Sequence, residues 1–175
     1  MKRKIVILIL IWVLFILQST VFKFLQIADT SPNMLLILTV AIGFMQGKKE
    51  GLFTGFFCGL LIDLFYGTVF GFYALLYMYI GYGCGHLCDI YFDEDIKVPL
   101  CLVTVCDFFF GVMVYVTRFF LRGRTNFIGY LKSVILPEIV YTVVLTLILY
   151  KLIYLINHKM ALKERRSAKN LWLRN

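Results

Sequence analysis

Charged side chains are scarce. Asp, Glu, Lys and Arg make up 16% of the 175 residues, while 61% are hydrophobic and the mean hydropathy is +0.86. A soluble domain needs a large polar exterior and cannot hide that much apolar surface. The chain is also too short to combine a membrane bundle with a separate soluble domain, so one compact membrane domain is expected. Histidines number only two, His86 and His158. None of the five cysteines (Cys58, Cys84, Cys88, Cys101, Cys106) stands in a CxxC pair, and all lie in or beside apolar runs. That pattern points away from a metal site or a disulfide framework and toward small apolar packing residues. Nucleophile elbows, Walker loops, HExxH helices and Gly-rich dinucleotide loops are missing. His86 with Asp89 is the nearest approach to an acid-base pair, and it sits in a loop. No enzyme activity, cofactor or metal is expected.

What the chain has is apolar runs. Six helical spans are predicted at about 5–25, 33–46, 51–66, 69–87, 98–121 and 133–156. The expected fold class is an all-α integral membrane protein. Residues 1–157 would form the membrane domain and 158–175 a basic cytoplasmic tail. The N-terminal Lys2-Arg3-Lys4 and the apolar run after it resemble a signal peptide, but no A-x-A-like site follows, so an uncleaved first helix is expected. Ser31 is a candidate N-cap with Pro32 in the first turn of span two. Pro99 and Pro137 likewise fall in the first turns of spans five and six, where a missing N–H is tolerated. Spans two and three are short: at ~1.5 Å per residue, span two covers little more than ~20 Å of a hydrocarbon layer about 30 Å thick. A polar turn, Gly47-Lys48-Lys49-Glu50, joins them. The pair is either a thin-spanning hairpin or one partly buried in protein, and sequence alone leaves both open.

The net charge is +8. In a membrane chain this implies Lys/Arg anchors against anionic lipid rather than nucleic-acid binding. With six spans and the N-terminus inside, 13 of the 18 Lys/Arg fall on the cytoplasmic side, as the positive-inside rule prefers. Both termini are then cytoplasmic. The loop carrying Arg122, Arg124 and Lys132 dissents, being basic and outside. The tail reads as a solvated anchor or a docking surface.

The sharpest feature is a four-residue rhythm: Gly43, Gly47, Gly51, Gly55, Gly59, Asp63, Gly67, Gly71. Steps of four keep Gly51, Gly55 and Gly59 on one helix face, where another backbone can approach closely. Internal packing, contact with a partner helix and a cavity wall all remain open for this stripe. Gly81, Gly83 and Gly85 read as close packing or a hinge at the end of span four. Asp63 ends the stripe, and Asp107 and Glu138 lie inside spans five and six. A charged carboxylate at the bilayer centre costs about 2.5–3.5 kcal/mol on insertion scales. Asp63 is expected to be a polar lock, capping the Gly67-Thr68 turn or pairing with a neighbouring helix, or else a substrate, proton or partner contact. Arg118 and Lys151 are candidate partners for the other acids.

Ser31-Pro32-Asn33 opening span two, the glycine stripe running into Gly59-Leu60-Leu61-Ile62-Asp63, and Gly67 to Gly71 after it resemble the rod shape-determining protein MreD family. The N-terminal Lys/Arg cluster and Pro137 fit as well. The resemblance implies a multi-pass protein of the bacterial inner membrane and of the cell-elongation machinery, without catalysis. It implies an MreC-like bitopic partner and, through it, an MreB-like filament and RodA/penicillin-binding-protein synthases; self-association stays open. It also implies a fold similar to the substrate-binding subunits of energy-coupling-factor vitamin transporters, which makes such a subunit the alternative function. Those subunits commonly carry a small-residue docking stripe on their first helix, whereas residues 5–25 contain no Ala or Gly.

Overall fold

The computed structural model describes residues 2–24, 31–67, 69–87, 97–118 and 127–172, with side chains within 3–20, 31–67, 69–87, 97–117 and 127–159. Every regular element among them is helical: α1 (Lys2–Phe24), α2 (Met34–Gln46), α3 (Lys48–Tyr66), α4 (Phe72–Leu87), α5 (Lys97–Arg118), the short α6 (Phe127–Tyr130), and α7 (Leu136–Trp172). A π-helical turn, Leu131–Ile135, joins α6 to α7 in one rod. Three stretches, Arg3–Thr20, Lys97–Thr117 and Phe127–Lys159, are long and apolar enough to cross a membrane. Their outward side chains, such as Ile9, Trp12, Val140 and Ile148, are exposed and apolar, which suits lipid and not water.

α2 is the centre of the bundle. Every residue from Met34 to Phe44 is buried, and α2 packs against α1, α3, α4, α5 and α7. A helix that is apolar on all sides belongs inside. The shortness of span two therefore has a physical explanation: protein, not lipid, surrounds it. Threonines on these apolar helices return their hydroxyls to their own backbone, as Thr39 does to the Leu35 carbonyl at 2.9 Å and Thr146 to that of Thr142 at 2.7 Å. These two hydroxyls are thereby satisfied within apolar surroundings, whereas the buried Thr54 hydroxyl has no hydrogen bond among the described residues.

Several expected boundaries need correcting. The polar turn 47–50 is a single residue, because α3 starts at Lys48 directly after Gly47. Gly47 adopts φ +89°, a left-handed conformation open to glycine, and reverses the chain in one step. Ser31 is not the N-cap of α2. Asn33 is, and its side-chain oxygen accepts the Leu36 N–H at 3.2 Å. Pro137 does not open the last rod, which starts ten residues earlier at Phe127. It lacks an N–H and crowds the carbonyl four residues back, and the π turn immediately before it widens the backbone there. α7 continues to Trp172, through most of the stretch assigned to the tail.

The end of the bundle holding the N-terminus is tied by polar side chains. Arg3 Nη2 and Gln46 Nε2 both donate to Asn157 Oδ1, at 2.9 and 3.0 Å. Lys4 Nζ lies 5.0 Å from the centre of the Phe53 ring, a cation–π distance. The start of α1, the α2–α3 turn and position 157 of α7 therefore share one end. Asp89, the acidic stretch around Asp93, Arg122 and Arg124 lie outside the described residues, as does the side chain of Arg118.

Candidate functional site

The glycine rhythm divides into three physical jobs. Gly51, Gly55 and Gly59 face α4, and a Cβ on any of them would come within 3.0 Å of the backbone of Gly81, Tyr77 or Ala74. Gly81 and Gly85 reciprocate toward Gly51 and Lys48, and Gly43 of α2 approaches the Gly81 carbonyl from the third side. Three helix backbones thus meet where side chains are absent, the geometry that replaces hydrophobic drive inside a membrane. This face of α3 is covered by α4 of the same chain. Gly83 is different, since nothing lies within 4 Å of its Cβ position. At the far end the rhythm serves the chain's path. Gly67 returns its N–H to the Asp63 carbonyl at 3.2 Å, and Gly71 takes φ +92°.

Asp63 interrupts the glycines because α4 needs it. Its Oδ1 accepts the Tyr73 N–H at 3.1 Å and its Oδ2 the Ala74 N–H at 2.8 Å, and the residue is only 4% exposed. A helix start leaves four N–H groups without internal partners. For α4 the Phe72 N–H goes to the Val69 carbonyl at 3.4 Å, and the regular ladder begins with Leu75 donating to the Gly71 carbonyl at 3.0 Å. The carboxylate also sits at the positive end of the helix dipole. Asp63 therefore caps a neighbouring helix, one of the roles expected of a polar lock; its hydrogen bonds go to Tyr73 and Ala74 rather than to the Gly67-Thr68 turn, of which Thr68 lies outside the described residues.

The start of α2 is closed in the same way, by three other helices. Met34 donates to the Pro32 carbonyl and Ile37 to that of Asn33, both at 3.2 Å. Leu35 donates to Gln18 Oε1 of α1 at 3.3 Å, and Leu36 to Asn33 Oδ1. Tyr77 of α4 donates its hydroxyl to the same Asn33 oxygen at 2.6 Å, and the Asn33 N–H reaches Thr142 Oγ1 of α7 at 3.3 Å. Asn33→Ala should therefore lower stability by about 2–3 kcal/mol, the sum of a lost cap and a stranded tyrosine hydroxyl. Tyr77→Phe, which leaves the cap, should cost only about 1 kcal/mol. Unfolding by denaturant titration in detergent compares the two, and equal losses would refute the shared-acceptor reading.

Around this junction two of the three intramembrane acids, Asp107 and Glu138, come together. Asp107 of α5 is 3% exposed and lies against Thr142, yet neither carboxylate oxygen has a well-formed hydrogen bond among the described residues. Glu138 of α7 and Asp107 are close enough for their charges to interact, and both act on Tyr77. Lys151 is exposed and lies toward the Asn157 end. Beside Glu138 is a cavity of about 220 Å³, with Gln18, Ser19, Ser31 and Asn33 among its polar lining. It opens at the end of the bundle opposite Arg3 and Asn157.

Sequence reasoning missed Gln18, Tyr77, Thr142 and Asn157. A polar residue in an apolar run was the available signal for each. It also missed that Cys84 and Cys106 bring their sulfurs to 3.5 Å, a contact between α4 and α5 that no local spacing announces. Among the described residues, no three His, Cys, Asp or Glu side chains converge as a metal site would need.

The family profile of the rod shape-determining protein MreD matches residues 1–160. No curated protein and no solved structure matches the chain, so the expected fold likeness to vitamin-transporter subunits has no match to support it.

Proposed function

The chain belongs to the rod shape-determining MreD family, and from that membership we propose that it is a non-catalytic scaffold of the cell-elongation machinery. A role in rod-shape determination follows from the family itself, and the carrying observation is a match that spans nearly the whole chain. In this reading six helical rods cross the bacterial inner membrane with both termini in the cytoplasm. Supporting it are the excess of Lys/Arg at one end of the spans and the meeting of Arg3 with Asn157 at one end of the bundle. The basic stretch after residue 157 then anchors on anionic lipid.

The scaffold holds an MreC-like bitopic partner and links it to peptidoglycan synthesis. Rigidity is what the structure offers such a role. The α3–α4 pair is joined backbone to backbone through Gly51, Gly55 and Gly59, and Asp63 pins its turn. A partner helix would meet the outer faces, because the glycine face is occupied by α4. The vitamin-transporter alternative has no observation in its favour.

Depleting this protein in a rod-shaped host should give rounded cells, and gentle-detergent purification should retain an MreC-like bitopic protein. Rods of unchanged shape after depletion would overturn the proposal.

A further inference from the structure

We infer that the cavity beside Glu138 binds an organic ammonium group. Its walls are aromatic: Phe15 and Tyr66 on one side, with ring centres 6.3 Å apart, and Tyr73, Tyr77 and Phe110 on the other. Phe110 holds that second wall together, its ring centre 5.8 Å from Tyr73 and 5.4 Å from Tyr77. Ring faces carry negative quadrupole charge and attract cations, ammonium groups above all.

The charge of the site agrees. Glu138 is a lining residue, Asp107 is near enough for its charge to act on it, and among the described residues no Lys, Arg or His lines the cavity. Two carboxyl groups among apolar helices, one of them buried without a well-formed hydrogen bond, have no positive partner among the described residues, although buried acids ordinarily have one. Ser19 gives its own hydroxyl hydrogen to the Ile16 carbonyl at 3.2 Å, so its oxygen faces a ligand as an acceptor. An anion would meet the Glu138 carboxyl and aromatic rings here.

Size separates an organic cation from a bare metal ion. The cavity, about 220 Å³, is more than ten times the roughly 15 Å³ that one water needs. A metal would also need several ligating side chains at short range, and none converge among the described residues. An ammonium on a small carbon frame fills such a space and uses both the rings and Glu138. It could arrive as a free amine or as the head group of an aminophospholipid. Binding of either kind implies no transport.

The test uses the full-length protein in detergent, titrated calorimetrically with choline, ethanolamine and dimethylbutanol, the uncharged carbon analogue of choline. A parallel arm measures unfolding in nanodiscs of phosphatidylethanolamine against phosphatidylglycerol. Saturable binding of an ammonium compound is expected, about tenfold tighter than the neutral analogue. Glu138→Gln should remove that difference. Stabilisation only in phosphatidylethanolamine, lost in Glu138→Gln, assigns the same chemistry to a lipid head group. If Glu138→Gln fails to fold, the contrast between charged and neutral probes in the unaltered protein still decides. Equal binding of the neutral analogue overturns the inference, and so does failure of every ammonium probe in both arms.

Discussion

Gly55→Leu and Gly59→Leu should each unfold the α3–α4 pair. At both positions an added Cβ would sit within 3.0 Å of backbone atoms of α4, not of a flexible side chain that can turn away. The two helices must separate, and with them go the contacts of both with α2. Overpacking a core ordinarily costs about 1–3 kcal/mol; a clash against backbone along the largest helix interface belongs at or above ~3 kcal/mol. Gly83→Leu is the control. It lies one turn or less from Gly81 and Gly85 on the same helix, yet its Cβ position is open and the residue is exposed. Replacing a helix-interior glycine there should gain about 0.5–1 kcal/mol in backbone entropy. The two kinds of substitution therefore differ in sign. Denaturant titration of helicity in detergent measures both, and a Gly55→Leu protein indistinguishable from its parent would show that the stripe does not hold the pair together.

Asp63→Ala should be nearly as damaging. It leaves the Tyr73 and Ala74 N–H groups buried without acceptors, and each such group costs about 1–3 kcal/mol. The carboxylate's favourable place at the α4 dipole is lost as well. A loss of about 3 kcal/mol or more is expected, against about 1–2 kcal/mol for Asp63→Asn, which keeps one acceptor oxygen. Hydrogen exchange gives a local readout. In Asp63→Ala the amides of Tyr73 and Ala74 should lose protection before the middle of α4 does. Unchanged protection at those two amides would mean that another group caps the helix.

Both effects were partly legible in the sequence. Hydropathy and four-residue spacing are local properties, so helical runs and a shared glycine face can be read from neighbours in the chain. The position of Asp63 at the end of the stripe marked it as a polar lock. Its partners were not legible, because they lie across a turn at positions 73 and 74, where nothing in the residue types advertises a free N–H. Boundaries failed for a related reason. The start of α3 depends on the φ of Gly47, and the start of the last rod depends on a π turn that absorbs Pro137. Each is a backbone geometry that several neighbouring residue patterns would permit.

By itself, then, the sequence determined that this is a helical membrane chain of the MreD type, with a glycine-faced hairpin and three acids among apolar runs. Apolar content, motif order and periodicity suffice for that. Only the tertiary structure decided that α2 is enclosed by protein, and that Asn33 serves Leu36 and Tyr77 together. Only it placed Glu138 on a cavity and brought Asp107 within reach of its charge. The links concerned join residues 44 and 109 positions apart. Which helix faces meet over such separations is settled by packing the whole bundle at once, since each buried N–H and carboxyl must find its acceptor or donor on whichever helix lies next to it.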